Sequence, residues 1–208
     1  MRRITTLLLV CLCLSLAYGC KKQAPPEPTA QEYFDSGMRY FGQENFQMAL
    51  SEFEMAVNKS PSFVEANYYV GLAAWKLNMN DKARKAFVAV LNLNPNHIKA
   101  RESLGILSYA MSDFTEAKRH LEAARNLNSI NPEVYFCLGK IYVMENRCRE
   151  ALEVFQKGVM VDSTYLPLKT ELENAKRTCG KGGGTGAPKV IQEKKFRGGG
   201  KALDPSDF

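Results

Sequence analysis

The sequence predicts an all-α fold: a right-handed superhelical solenoid of four helix-turn-helix repeats with a C-terminal capping helix. Three observations predict it. Glycines stand at Gly37, Gly71, Gly105 and Gly139, each 34 residues from the next. Alanines keep the same spacing at Ala49, Ala83, Ala117 and Ala151. Large apolar residues keep it at Phe53, Phe87, Leu121 and Phe155. Three positions that recur four times without drift mark an internal repeat. A unit of this size is a pair of antiparallel helices, which buries its apolar side only by stacking on its neighbours.

The repeats occupy residues 30–63, 64–97, 98–131 and 132–165. In the first, Tyr33, Gly37 and Tyr40 lie on the first helix and Ala49, Phe53 and Ala56 on the second. Pro61 ends the unit, where it stops a helix and opens the next turn. The second carries Val70, Gly71, Ala83, Phe87 and Pro95. The third carries Leu104, Gly105, Ala117, Leu121 and Ala124, and the fourth Tyr135, Leu138, Gly139, Tyr142, Ala151, Phe155 and Gly158. A glycine eighth in each unit lets its two helices approach closely, despite a helix cost of about 1 kcal/mol. The alanine at the twentieth position is expected to face that glycine, and the large residue at the twenty-fourth to fill the space between units.

A 34-residue helical hairpin with these small and large positions resembles the tetratricopeptide repeat. Against that pattern Asn67 and Arg101 take a fourth position that is commonly large and apolar, and Ser129 and Ser163 replace the turn proline. These departures are expected to loosen the local fit. Residues 166–179 begin like a fifth first helix, with Leu166, Leu168, Leu172 and Ala175 inward and Lys169, Glu173 and Lys176 toward water. No second helix follows, so this segment is the cap that covers the last unit. Residues 180–208 hold eight glycines and no apolar period, and read as a disordered basic tail.

Charge separates the body from the ends. Residues 30–178 carry 18 basic and 18 acidic side chains, so the net charge of +6 comes from the termini. A neutral body is not the basic stripe of a nucleic-acid-binding domain.

The first residues read as an export signal. Arg2 and Arg3 form its charged start, an apolar run follows over residues 4–16, and Ala17-Tyr18-Gly19 is the cleavage region. The run is shorter than the roughly 20 residues that span a bilayer. Leu16-Ala17-Tyr18-Gly19-Cys20 resembles the lipobox of bacterial lipoproteins. That resemblance implies removal of residues 1–19 and lipidation of Cys20, with attached acyl chains holding the protein on a membrane. Lys21 rather than aspartate after the cysteine leans toward the outer membrane in that family. Ordinary cleavage after Gly19, leaving Cys20 a plain thiol, is the rival reading. Residues 20–29, with Pro25, Pro26 and Pro28, form an extended linker.

Positions 2, 5, 9, 12 and 13 of each first helix share one face, the concave side of such an array. There the sequence places Phe34, Met38 and Phe41, then Tyr68, Leu72 and Trp75, then Ile106 and Tyr109, then Phe136, Val143 and Met144. An apolar stripe at helical spacing is commonly core. Here the repeat positions already supply a separate core face, so the stripe is expected to line a groove for a polypeptide, with aromatic anchors. Tetratricopeptide domains that clamp a terminal carboxylate use lysine and asparagine where this chain has Phe34, Met38, Tyr68 and Leu72. The expected occupant is therefore an apolar or aromatic segment, such as a helix.

Cys137, Cys148 and Cys179 remain after processing. Cys148 opens the second helix of the fourth unit and Cys179 ends the cap. These two helices run antiparallel as neighbours, so a Cys148–Cys179 bridge is expected, worth about 3 kcal/mol in the chain-entropy model. His97 and His120 are assigned to turn and surface positions, since no ligand spacing surrounds them. No nucleophile–base pair and no paired carboxylates stand out, so no enzyme activity, metal, cofactor or small-molecule substrate is expected.

A lipid-anchored periplasmic array of these repeats resembles the pilotin lipoproteins of type IV pilus systems. The resemblance implies a role in assembly of the outer-membrane secretin, with a secretin segment as the protein partner. Two other readings stay open: a lipoprotein adaptor for outer-membrane barrel assembly or cell-wall enzymes, and an unanchored secreted interaction module.

Overall fold

The computed structural model describes residues 27–180, and among these it forms nine α-helices and no strand. In chain order they are α1 Ala30–Gly42, α2 Phe46–Lys59, α3 Val64–Lys76, α4 Asn80–Leu93, α5 Ile98–Ala110, α6 Phe114–Asn126, α7 Pro132–Met144, α8 Cys148–Val161 and α9 Leu166–Gly180. Each helix packs on the next, and the first helices α5, α7 and α9 also touch one another in series. The signal segment, Cys20, the start of the linker and the tail lie outside the described residues.

Helix starts are written locally. Thr29 and Glu32 form a reciprocal cap at α1: Thr29 Oγ1 accepts from Glu32 N at 3.2 Å and Glu32 Oε2 from Thr29 N at 2.7 Å. Asn45, Asp113 and Asn131 cap α2, α6 and α7, and His97 caps α5 through Nδ1, which accepts from Ala100 N at 3.1 Å.

The turn inside each unit repeats as faithfully as the glycines. Glu44, Asn78, Ser112 and Asn146 stand 34 residues apart with φ of 59°, 58°, 62° and 60°. In each case the following amide reaches back to a carbonyl five residues earlier, as from Met79 N to Ala74 O at 2.8 Å. This is the left-handed helix stop that glycine or asparagine occupies at least cost. Glu44 and Ser112 carry a Cβ there, which is strained by about 1–2 kcal/mol. Ser112→Gly is therefore expected to stabilise the chain by roughly 0.5–1 kcal/mol, after the entropy that glycine loses on folding. A thermal melt checks this, and a lowered midpoint would refute it.

The core forms within units as well as between them. Phe53, Phe87, Leu121 and Phe155 are fully buried, as are the four alanines of the twentieth position. The eighth-position glycine faces the twenty-fourth residue rather than the alanine. A Cβ on Gly37 would stand 2.5 Å from Phe53 Cε1, one on Gly105 2.7 Å from Leu121 Cδ2, and those on Gly71 and Gly139 against the rings of Phe87 and Phe155. The large residue thus fills the space inside its own unit, over the glycine backbone.

The fourth position does not loosen the array. Asn67 Nδ2 donates to Pro61 O at 3.1 Å and Phe63 O at 2.9 Å. Arg101 donates to Pro95 O through Nε at 2.9 Å and Nη2 at 2.6 Å. Tyr135 OH donates to Ser129 O at 2.7 Å. Three different side chains thus tie α3, α5 and α7 each to the carbonyl six residues earlier, in the turn that precedes the helix. Ser129, in place of proline, adds a bond from its hydroxyl to Glu102 Oε1 at 2.5 Å. Apolar residues at these positions would leave the turn carbonyls without their side-chain donors.

The cap covers the last unit through Leu168, Leu172 and Ala175, which are buried. Leu166 is 70% exposed instead of packing inward, because it is the first residue of α9 and lies before the turn that meets α7 and α8. Gly158 on α8 makes the approach possible: a Cβ there would lie 2.6 Å from both Leu168 Cδ2 and Tyr135 Cβ. Cys148 and Cys179 are joined by a disulfide with their Cα atoms 5.6 Å apart, which fastens the end of α9 to the start of α8.

Candidate binding face

The first helices carry three rows at the spacing of the repeat, and the structure gives each row a different fate. The row nearest the helix ends is Phe41, Trp75, Tyr109 and Val143, all half-buried. Three of the four rest against a neighbouring ring. Phe41 meets Phe46 edge-on at 5.2 Å, Trp75 meets Phe87 at 6.4 Å and 83°, and Tyr109 meets Phe114 at 5.6 Å. Phe46 and Phe114 hold one register position, two units apart, so the first and third units share a seat, whereas Trp75 of the second rests on Phe87 at another position. Trp75 packs against both hydrophobic clusters of the array, the one over the first three units and the one running to the cap. Burial pushes the Tyr109 hydroxyl up to about 12, so it stays a neutral donor.

The middle row is largely sealed. Met38 is 36% exposed, Leu72 and Ile106 are buried, and Lys140 pairs with Glu171 at 3.2 Å. Leu72 belongs to the cluster that holds Ala100, Leu104 and Leu107 of α5, and Ile106 to the one that holds Val134, Leu138 and Ile141 of α7. Leu72 and Ile106 are therefore packing between units and not groove lining. Direct contact of α5 with α7 closes that face at Ile106.

The third row lies near the helix starts: Phe34, Tyr68, Glu102 and Phe136. Phe34 is half-buried among Phe53, Phe63 and Tyr69, with centroids 5.6, 5.0 and 5.6 Å away. Tyr68 is buried, stacked near Phe87 and His97, with its hydroxyl 3.5 Å from Ser103 Oγ. It too is core and not lining, and burial pushes its hydroxyl up to about 12. Phe136 is half-buried, edge-on to Tyr165 at 6.4 Å. The face is acidic at this end: Glu65 is exposed and Glu102 and Glu133 lie almost covered, with Lys99 as the nearby cation of the same rows. The acidic end was not apparent from the sequence. Its signal was Glu65 and Glu133 at the second position of the second and fourth units, with Glu102 at the fifth position of the unit between them.

His120 is not a surface residue. It is 2% exposed on the inner side of α6, with Nε2 2.8 Å from Arg119 Nη2 and 3.4 Å from Glu116 Oε1. Burial first, then the Arg119 charge, hold its pKa below the ordinary imidazole value, which keeps it neutral in the fold. Cys137 is a fully buried thiol, with its pKa pushed well up by burial and by Glu133. Among the described residues no group of three or more His, Cys, Asp or Glu side chains could hold a metal ion, and no helix is long and apolar enough to cross a membrane.

Stacked helical hairpins with this small-large code define a solenoid of the tetratricopeptide class. Residues 34–98 match the tetratricopeptide repeat family model. No curated protein matches the chain. Several solved structures share the fold. The MamA protein is 18% identical over 73% of this chain and 82% of its own, with a TM-score of 0.66. MamA from Desulfovibrio magneticus RS-1, residue 41 to the end, is 22% identical over 73% and 85%, with a TM-score of 0.66. YrrB, a tetratricopeptide protein with an unusual peptide-binding site, is 20% identical over 69% and 74%, with a TM-score of 0.61. At these identities the likeness is one of fold.

Proposed function

We propose that this chain is a scaffold that grips an extended or helical polypeptide across the row Phe41, Trp75, Tyr109 and Val143. That row carries the reading: three half-open aromatic side chains, each against a neighbouring ring, and a half-open valine. Aromatic residues held rigid with one side exposed are the usual anchors of protein interfaces. The peptide-binding site of YrrB, on a similar fold, supports the same use.

The lipobox-like run ending in Cys20 supports a setting on the periplasmic side of the outer membrane, anchored by acyl chains. In that setting the role is that of a pilotin, holding a segment of a type IV pilus secretin during assembly.

The test uses the folded body, residues 21–180, as bait for displayed peptides rich in aromatic residues. Trp75→Ala and Tyr109→Ala are expected to lower recovery at least tenfold while the helical circular dichroism is unchanged. Undiminished recovery on both variants would remove the reading. Palmitate labelling that survives Cys20→Ala would remove the anchor. Secretin that co-purifies equally with wild type and Trp75→Ala would remove the secretin as the occupant of this row.

A further inference from the structure

The described helices end at Gly180, and 28 residues follow it. The chain leaves α9 at the end of a first-type helix, beside the disulfide to the start of α8. Phe41, Trp75, Tyr109 and Val143 stand at that same end of their own first helices. Three units separate α9 from Trp75, on the order of 30 Å at roughly 10 Å between packed helices. A chain of 28 residues reaches about 90 Å when extended, so length does not limit it.

The chemistry of the following segment matches the face. Lys189-Val190-Ile191-Gln192-Glu193-Lys194-Lys195-Phe196-Arg197 carries four cations, one anion and three large apolar residues. The face offers an aromatic row at one end of the first helices and, at the other, exposed Glu65 with Lys99 beside it and almost covered Glu102 and Glu133. Ten residues of helix separate the second position from the twelfth, about 15 Å. Four extended residues, from Val190-Ile191 to Lys194-Lys195, span about 13 Å. Apolar residues on the aromatic row would thus place lysines at the acidic end.

We propose that residues 189–197 are an internal ligand of this face, which they occupy until a partner polypeptide displaces them. The proposal rests on the scaffold reading above and names the first occupant of its binding row. Occupation by the chain's own segment lowers the apparent affinity for any partner by the fraction of time the row is filled.

Trp75, the sole tryptophan, reports on its own row. A synthetic peptide of residues 187–198 is titrated into the chain shortened to residues 21–180, which retains every described helix, and into residues 21–208. The expected result is a saturable shift of Trp75 emission with the shortened chain and at least tenfold weaker binding to the longer one. A Lys194→Glu/Lys195→Glu peptide is expected to bind at least tenfold more weakly at low salt. This charge reversal leaves the folding of the protein untouched. No shift with the shortened chain would overturn the proposal, as would equal binding to both chains. A concentration-dependent dimer of residues 21–208 that is lost on shortening would assign the segment to a second copy and overturn the internal version. If displayed peptides bind residues 21–180 and the 187–198 peptide does not, this inference falls and the scaffold reading stands. If neither binds, both fall.

Discussion

Gly71→Leu is expected to destabilise the array by about 3 kcal/mol, at the upper end of the usual cost of overpacking. At Gly71 even a single Cβ would stand 2.7 Å from Phe87 Cδ1 and 2.9 Å from Phe87 Cζ. The ring cannot swing away. Phe87 is fully buried, with Tyr68 at 5.8 Å and Trp75 at 6.4 Å. Relief must come from separating α3 from α4, which opens the core on both sides. Gly42 supplies the control, since nothing lies within 4 Å of a Cβ placed there. Gly42→Ala is accordingly expected to leave stability unchanged or raise it by up to about 1 kcal/mol through helix propensity. The third unit suggests the compensation, for there glycine faces Leu121 rather than phenylalanine. Gly71→Ala should therefore cost less in a Phe87→Leu background than alone, and denaturant melts of the four chains measure that coupling. Additive losses would show that the ring is not what Gly71 accommodates.

The repeat was legible because its demands are steric and local. Only a small residue fits over Phe87, so the glycine recurs with the phenylalanine. The binding face was less legible. Helical spacing puts positions 5, 9 and 12 on one side of a first helix, but how much of that side stays open depends on how closely the next first helix approaches. Where α5 meets α7, Ile106 is sealed in, and Tyr68 and Leu72 are taken up by packing against α5. Their rows hinted at this, since Glu102 interrupts one and Lys140 ends the other. The fourth-position ties were hidden for a different reason. Asparagine, arginine and tyrosine share no property a sequence pattern would group, yet all three can donate to a carbonyl six residues back. The left-handed turns were half visible: Asn78 and Asn146 fit them, whereas Glu44 and Ser112 disguise the register.

Removing the disulfide is expected to cost about 3.7 kcal/mol, the chain-entropy value for a loop of this size. The bridge spans 31 residues of sequence and encloses α8 and all of α9 but its last residue. Where the loss falls follows from the architecture. In a stack whose units touch only their neighbours, stability is a sum of local terms, so damage at one end stays near that end. The cap is held to α7 and α8 by three buried side chains, Leu168, Leu172 and Ala175, and by the close fit of Leu168 over Gly158. Without the bridge this contact and the Lys140–Glu171 pair oppose fraying of α9. Hydrogen exchange on the Cys148→Ser/Cys179→Ser chain should therefore show faster exchange across α8 and α9, with α1 to α4 unchanged. Cys137 provides an internal check. It is buried, and a thiol with a raised pKa reacts slowly. Alkylation of the native, unreduced protein should mark none of these three cysteines, and after mild reduction it should mark Cys148 and Cys179 before Cys137. Labelling of both Cys148 and Cys179 without reductant would refute the bridge. Uniform acceleration of exchange from α1 to α9 would refute the local account of what the bridge does.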